Sequence, residues 1–439
     1  MSSQFAQSIA RALGTTTTLS TESVDVDINI GNDAVVDEDG AIVSPLAPMT
    51  DEPIVEAQET DIAEEVNEVE ETSDEIDSAE GDVETLESIK IQLEKSLAGD
   101  GLDTVSYEML NIAMDSIYRK YGISAAAVMP SMESFGEDRH GQTEISMEKV
   151  KDTLKSVKDG AVEFLKKLWF QIKQLAKNLI TLNFSMDKRL TALGKAASDP
   201  KLKASAGGKI KLHSAKKLVV DGRLPNKSTI IDYYAQLTNF CQKFGTVMED
   251  YLSSFVRDMD IKTEWEKGGS TKLVDKVSSV VTDFSRLESN LHFQNPKFVK
   301  TEFGRGEGKS VVPGIKLVST PVEGEVSSEV DALTAGEIQT VVKSIKSNIA
   351  NMKRIAELTN KKEIEKMVLE VAKENADEAN SVEMTKQVRK ALKDAISVHG
   401  KFLSYVSGVN KAMGAYCAQS LDSLKKSGKA EDKKEPEAK

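Results

Sequence analysis

The formal charge of the chain changes sign near residue 133. Residues 1–133 carry five Lys and Arg residues against 30 Asp and Glu residues, a net charge of −25. The residues that follow carry 52 basic and 41 acidic side chains, a net charge of +11. We call residues 1–133 the acidic segment and residues 134–439 the basic segment. So large an asymmetry predicts two segments with different partners.

The acidic segment is poor in aromatic residues, and no Lys or Arg occurs between residues 51 and 87. Because like charges repel and little apolar surface is available for burial, residues 15–80 are predicted to be disordered. Two short helices are expected after them, at residues 83–97 and 106–121, where apolar side chains recur every three or four positions.

The basic segment has the apolar periodicity of a helical protein. Repeats of three and four residues predict six helices, and Thr334 followed by Glu337 predicts a capping box at the start of the fourth. The predicted helices cover residues 146–183, 228–259, 271–291, 334–359, 361–375 and 381–424, the last with a possible break near Gly400. The end of the chain, residues 425–439, is predicted to be a charged flexible tail.

Four short stretches have the composition of β-strands. Residues 209–213 and 217–220 suggest a small hairpin or sheet edge, and residues 298–303 and 315–319 flank a Gly-rich turn. The predicted fold class is therefore mainly α, a helical bundle with a small β hairpin or sheet element behind a largely disordered acidic N-terminal segment.

The charge alone leaves several partners open. A basic segment favours polyanions such as nucleic acid or membrane headgroups, but an acidic tail on an ordinary soluble protein would give the same count. The two cysteines, Cys241 and Cys417, form no disulfide framework and predict a reducing compartment. The sequence has no run of 18 apolar residues, so no membrane span is expected.

No motif of the sequence supports catalysis or metal binding. The Gly-rich residues 304–310 lack the glycine spacing of a phosphate-binding loop and run into Pro313, so a flexible basic turn is the better interpretation. The four histidines, His140, His213, His292 and His399, have no metal-ligand spacing. We expect no enzyme activity, no metal and no cofactor.

A lysine-rich amphipathic stretch at residues 151–177 is the candidate surface for DNA. Trp169 and Phe170 interrupt its basic residues. Packing alone, packing with nucleic-acid contact, and membrane contact all remain open for such a helix, membrane contact being the least favoured. The candidate DNA-contact residues are Lys155, Lys158, Lys166, Lys167, Lys173 and Lys177.

The charge changes sign in a linker of small residues that includes Pro130 and Gly136. Endopeptidases need an extended, exposed strand, and such a linker offers one. The pattern of a small residue, any residue and then Glu occurs here, so the candidate cleavage site is formed by Ser131, Met132, Glu133 and Ser134. The same pattern makes Glu22 and Glu80 candidates for secondary cuts, since both lie in the stretch predicted to be disordered.

Three features give the chain a resemblance to the internal head (inner-body) proteins of phiKZ-like giant tailed phages. They are the acidic segment that ends in residues 129–136, the stretch at residues 217–225, and the helical basic remainder. The resemblance implies that a phage prohead protease cuts after Glu133 and removes a propeptide during head maturation. It also implies that the mature part stays inside the capsid with the genomic DNA and is in some cases ejected with it.

The interpretation that follows is a virion structural protein made as a precursor in the bacterial cytoplasm. Residues 1–133 would be the propeptide, residues 134–424 the mature domain and residues 425–439 the tail. Its partners would be the prohead protease, the capsid shell or other internal head proteins, and double-stranded DNA bound without sequence preference. The alternative is a scaffold or assembly adaptor of the prohead that acts through helix–helix contacts without binding DNA.

Overall fold

The computed structural model describes residues 53–121, 138–203, 207–257, 271–302, 312–319, 326–373 and 379–432. Among these residues the chain forms two compact units. The first unit contains residues 74–164, and the second contains residues 53–73 and 165–432.

Helices dominate both units, as the sequence predicted. Three helices supply the first unit and the beginning of the second: α1 (Pro53–Leu97), α2 (Thr104–Tyr121) and α3 (Arg139–Ala196). The others belong to the second unit: α4 (Pro200–Lys203), α5 (Lys227–Arg257), α6 (Thr271–Leu287), α7 (Ala335–Glu357), α8 (Lys362–Lys373) and α9 (Ala379–Asp432).

Helix α1 corrects the prediction of disorder for the part of the acidic segment that is described. It begins at Pro53, 30 residues before the predicted start at Val83. Its buried residues Val69, Ile76 and Val83 are spaced by seven, so they lie along one side of the helix. Charge repulsion is relieved because most of the acidic side chains whose exposure is described lie on the other faces, where water solvates them, although Glu80 is buried.

The first unit has one apolar core built from all three of its helices. Leu86, Leu93, Tyr107 and Met114 of α1 and α2 pack with Val157 of α3, and each is at most 1% exposed. The core continues through the apolar residues Val83, Ile89, Leu102, Leu110, Ile117, Tyr118, Val150 and Leu154. Tertiary burial of this face stabilises helices that would be marginal as isolated peptides.

The helices of the second unit pack through the apolar stripes that the sequence predicted. On α5 the buried residues Tyr234, Phe244 and Tyr251 lie on one side of the helix, and Phe244 stacks on Phe402 of α9 with ring centroids 3.7 Å apart. The predicted capping box is confirmed at the start of α7, where the backbone N–H of Glu337 donates to Thr334 Oγ1 and the N–H of Thr334 donates to Glu337 Oε2.

Helix α9 passes through Gly400 without the predicted break. A Cβ atom at Gly400 would lie 2.4 Å from Cδ1 of Ile172 on α3. The glycine therefore serves close helix–helix packing rather than helix termination. Residues 425–432 continue α9, and residues 433–439 of the predicted flexible tail lie outside the described residues.

The described residues of the second unit also form two small antiparallel sheets. Strands β2 (Lys297–Glu302) and β3 (Pro313–Val318) form where the sequence predicted strands, and they pair with each other, with Phe298 opposite Leu317. Strand β1 (Lys209–Lys211) pairs with β4 (Glu329–Asp331), with Ile210 opposite Val330.

The hairpin predicted between residues 209–213 and 217–220 does not form. Residues Ala215–Leu218 make a turn of 3-10 helix instead, which buries Ala215 and Leu218. Val220 forms an isolated bridge with Arg223 across a turn in which Asp221 and Gly222 have positive φ angles. The apolar residues of this stretch therefore enter the core through a helical turn, and β1 finds its partner more than 100 residues away.

Candidate processing site and nucleic-acid interface

The predicted cleavage site lies between two helices of the first unit. Helix α2 ends at Tyr121 and α3 begins at Arg139, whereas residues 122–137 lie outside the described residues. Ser131, Met132, Glu133 and Ser134 belong to that range, and Glu22, the first secondary candidate, also lies outside the described residues. Cleavage at either place therefore stays a prediction from the sequence.

The other secondary candidate, Glu80, has a different environment from the one expected. It lies within α1, where Glu80 is 4% exposed and its neighbour Ala79 is 1% exposed. An endopeptidase binds its substrate as an extended strand, so a buried helical turn must unfold before it is cut. The disorder on which Glu80 was selected is wrong for this position, and a cut there remains an untested prediction.

The acidic segment packs against the beginning of α3 through polar contacts as well as through the apolar core. The N–H of Leu102 donates to Thr143 Oγ1 at 3.0 Å, and this hydrogen bond is buried. His140 Nε2 lies 3.2 Å from the carbonyl oxygen of Leu97, at the end of α1. Gly101 has φ +82° and lies against the backbone of Arg139. The turn between α1 and α2 is thus fixed to the first residues of the basic segment that the structure describes.

Helices α1 and α2 are joined to each other by a small polar cluster. The hydroxyl of Tyr121 donates to Asp82 Oδ2 at 2.9 Å, and Lys120 pairs with the same carboxylate. Lys120 Nζ also donates to Ser78 Oγ at 2.6 Å. Burial and the nearby charge of Asp82 raise the pKa of Tyr121 above its usual range, so the phenol stays protonated as a hydrogen-bond donor.

Of the six candidate DNA-contact lysines, Lys155 and Lys158 lie in the first unit. Lys155 is exposed to solvent. Nζ of Lys158 lies 3.0 Å from Oε1 of Glu87 on α1, and the two side chains are only 20% and 26% exposed. Partial burial leaves this ion pair less screened by salt than a pair on an open surface. Glu87 of the acidic segment is therefore paired with Lys158, one of the lysines proposed to contact DNA.

The other four candidates, Lys166, Lys167, Lys173 and Lys177, lie on α3 in the second unit. Lys166, Lys173 and Lys177 are spaced by seven and four residues, which places them on one side of the helix. Nζ of Lys173 lies 3.1 Å from Oε1 of Glu365 on α8. The side chains of Lys167 and Lys177 are exposed to solvent. The helix thus presents a partly neutralised row of cations.

The two aromatic residues between these lysines have opposite environments. Trp169 is 4% exposed and belongs to the core, whereas Phe170 is 66% exposed. An exposed ring among cations occurs on surfaces that bind nucleic acid or a lipid interface. The sequence alone did not separate the two rings, because adjacent positions on a helix differ by about 100°.

The acidic segment makes a second set of contacts, within the second unit, that sequence reasoning missed. Glu70 Oε1 lies 2.9 Å from Nζ of Lys401 on α9, and Asn178 of α3 donates to Glu65. Val69 and Thr72 beside them are each 1% exposed. The signal in the sequence was the spacing of three and four from Val69 to Leu86, which continues the stripe of the helix predicted at residues 83–97.

The histidines His292 and His399 lie in packed surroundings. Burial lowers the pKa of His399 to about 4, and neither of its ring nitrogens has a hydrogen-bond partner among the described residues. His292 stacks on Tyr233 and lies 2.7 Å from Gln236 Oε1. Within the described ranges no group of three His, Cys, Asp or Glu residues could hold a metal ion. Nor does any helix of those ranges combine the length and apolar content needed to cross a membrane.

Comparison with known proteins assigns the chain to a family. The family model of phiKZ-like phage internal head proteins matches residues 61–424, which include most of the described part of the acidic segment and nearly all of the basic segment. Neither the curated proteins nor the solved structures that were compared gave a match. With most of its length matched, the chain belongs to the phiKZ-like phage internal head proteins.

Proposed function

We propose that the chain is the precursor of a structural protein of the capsid interior, cut after Glu133 by the prohead protease. The basic segment then packs with the genomic DNA and is in some cases ejected with it. Family membership supports the location inside the head. Processing and DNA packing are supported by one observation. Carboxylates before the proposed cut form ion pairs with lysines after it.

Those pairs occur in each unit separately. Glu87 pairs with Lys158 in the first unit, and Glu70 pairs with Lys401 in the second. In an empty prohead the acidic segment would compete with DNA for the same cations. Removal of the acidic segment, with its net charge of −25, would leave the basic segment with a net charge of +11. DNA binds such a segment without sequence preference, because binding releases condensed counterions.

The test measures duplex DNA binding against salt concentration for the unprocessed chain and for the body recovered from mature virions. We expect the body to bind with an affinity that falls steeply with salt and the unprocessed chain to bind far more weakly. Equal affinity of the two forms, or an affinity of the body that is independent of salt, would contradict the proposal.

A matched pair of triple variants locates the surface. Exchange of three exposed candidate lysines for Gln should reduce the slope of log K against log salt by roughly 0.9 per lysine that contacts a phosphate. The variant residues are Lys155, Lys167 and Lys177, and the control residues, exposed on α7 and α8, are Lys343, Lys353 and Lys362. An equal effect of both triple variants would argue against α3 as the DNA-binding surface.

One observation favours the alternative, a scaffold that acts through helix–helix contacts. On α2 the residues Val105, Met109 and Ile112 are 62%, 67% and 73% exposed and lie on the side opposite the buried core residues. An apolar face that the described residues leave exposed is typical of a surface that contacts another protein. A body that fails to retain DNA at low salt, together with an assembly defect when these three residues are replaced by Ser, would favour the scaffold.

A further inference from the structure

Residues 74–121, here called the acidic hairpin, share one apolar core with the first described turns of the basic segment. Val150, Leu154 and Val157 of α3 are at most 8% exposed and pack with side chains from α1 and α2. The proposed cleavage site lies in the chain between these two sets of residues. A cut there breaks one peptide bond and leaves every one of these contacts in place.

We propose that the face of α3 formed by residues 139–164 is a binding surface for the acidic hairpin as a separate polypeptide, so that cleavage yields a nicked complex. This inference rests on the proposed function for the cut itself. The partner that fits the surface is the pair of amphipathic helices α1 and α2, whose apolar faces pack against Val150, Leu154 and Val157. The hairpin remains bound because burial of that face, rather than the linker, holds it there.

Directional contacts give this surface its register. The N–H of Leu102 donates a buried hydrogen bond to Thr143 Oγ1, and a hairpin that shifted along α3 would leave this N–H buried without its acceptor. The ion pair between Glu87 and Lys158 lies at the other end of the contact, 15 residues further along α3. A sliding or rotated hairpin would lose both, so the structure selects one bound geometry.

The consequence is that cleavage and the change in charge are separate events. The nicked complex keeps the net charge of the whole chain, −14, because no residue has left. Only departure of the acidic segment leaves the body at +11 and frees Lys158. Departure also uncovers the apolar face of α3, with Lys151 and Lys155 exposed beside it.

The experiment places the recognition sequence of a site-specific protease in residues 122–137 of the full chain and cuts it to completion. Size-exclusion chromatography at roughly micromolar concentration follows, with denaturing gels to confirm the cut. We expect the two fragments to elute together. Hydrogen exchange in residues 139–164 should change by less than about threefold on cutting, since those amides report unfolding of this unit. Separation of the fragments, or loss of protection in residues 139–164, would overturn the inference.

A pair of adjacent variants tests whether the shared core is responsible. Val157→Asp places a carboxylate in the core and should speed exchange in residues 139–164 of the nicked protein by roughly 100-fold or more. Ser156→Asp adds the same charge on the exposed side of α3 and should leave exchange near that of the parent. Equal exchange in the two nicked variants would contradict the inference. Because the protease is supplied, these results do not depend on whether the phage enzyme cuts at Glu133.

Discussion

The turn between α1 and α2 offers a sharp test of how the acidic segment is attached. Gly101 has φ +82°, in the region that side chains with a Cβ rarely adopt. A Cβ atom there would also lie 2.9 Å from the carbonyl carbon and oxygen of Arg139. Gly99, two residues earlier, would place a Cβ no closer than 3.7 Å to Ser96 O and has no positive φ. Gly101→Ala and Gly99→Ala are therefore the same substitution in the same turn with different expected costs.

The magnitude follows from the two strains at Gly101. The left-handed backbone costs roughly 1–2 kcal/mol for a residue with a Cβ. The contact with Arg139 involves backbone atoms, which must move together with the start of α3, so a further cost of about 1–3 kcal/mol is expected. Gly101→Ala should thus destabilise the first unit by roughly 2–5 kcal/mol. Gly99→Ala should change its stability by less than about 0.5 kcal/mol.

Native-state hydrogen exchange is the suitable assay because it reports each unit separately. The protection of amides in residues 83–121 and 139–164 should fall together in Gly101→Ala, while amides of α5 and α9 in the second unit keep their protection. Loss of protection in the second unit as well would show that the two units do not unfold independently. Equal exchange in Gly101→Ala and Gly99→Ala would refute the role assigned to the turn.

Three further predictions concern the second unit, each measured by urea denaturation or hydrogen exchange. Tyr234→Phe removes a buried hydroxyl that donates to an Asn side chain at 2.7 Å and should cost about 1–3 kcal/mol, whereas Tyr233→Phe, with its half-exposed ring, should be within about 0.5 kcal/mol of the parent. Gly400→Ala should destabilise by about 1–3 kcal/mol through the clash with α3, while Gly408→Ala on the same helix, with no atom closer than 3.7 Å, should stabilise by roughly 0.5–1 kcal/mol. Burial lowers the pKa of His399 in the folded chain to about 4, against 6.5 for the free side chain, so the unfolded chain takes up a proton first as pH falls. The free energy of unfolding should therefore decrease by up to roughly 3 kcal/mol between about pH 6.5 and pH 4. His399→Gln should remove that part of the decrease.

The helices were predictable because they depend on local periodicity. The stripes of α5 and α7 and the capping box at Thr334 are set by residues three and four apart, and the structure confirms them. The early start of α1 at Pro53 was missed for a physical reason. Net charge was taken as a sign of disorder, although the apolar spacing from Val69 to Leu86 leaves most of the carboxylates on the outer faces of a helix.

Contacts between distant residues could not be read from the sequence. The pairing of Ile210 with Val330 joins strands more than 100 residues apart, and nothing local selects that partner over residues 217–220. The pairing of Glu87 with Lys158 was missed for the same reason, since an exposed lysine row and a paired one have the same sequence pattern. The prediction of cleavage in the linker, by contrast, rests on the Ser–Met–Glu pattern of the sequence alone, because residues 122–137 lie outside the described residues.

The most direct test of the account is the N-terminus of the basic segment in mature virions. Chemical labelling of α-amino groups followed by mass spectrometry should identify a chain that begins at Ser134, because the proposed cut follows Glu133. A peptide that spans the bond between Glu133 and Ser134, present in most copies from mature particles, would contradict the account.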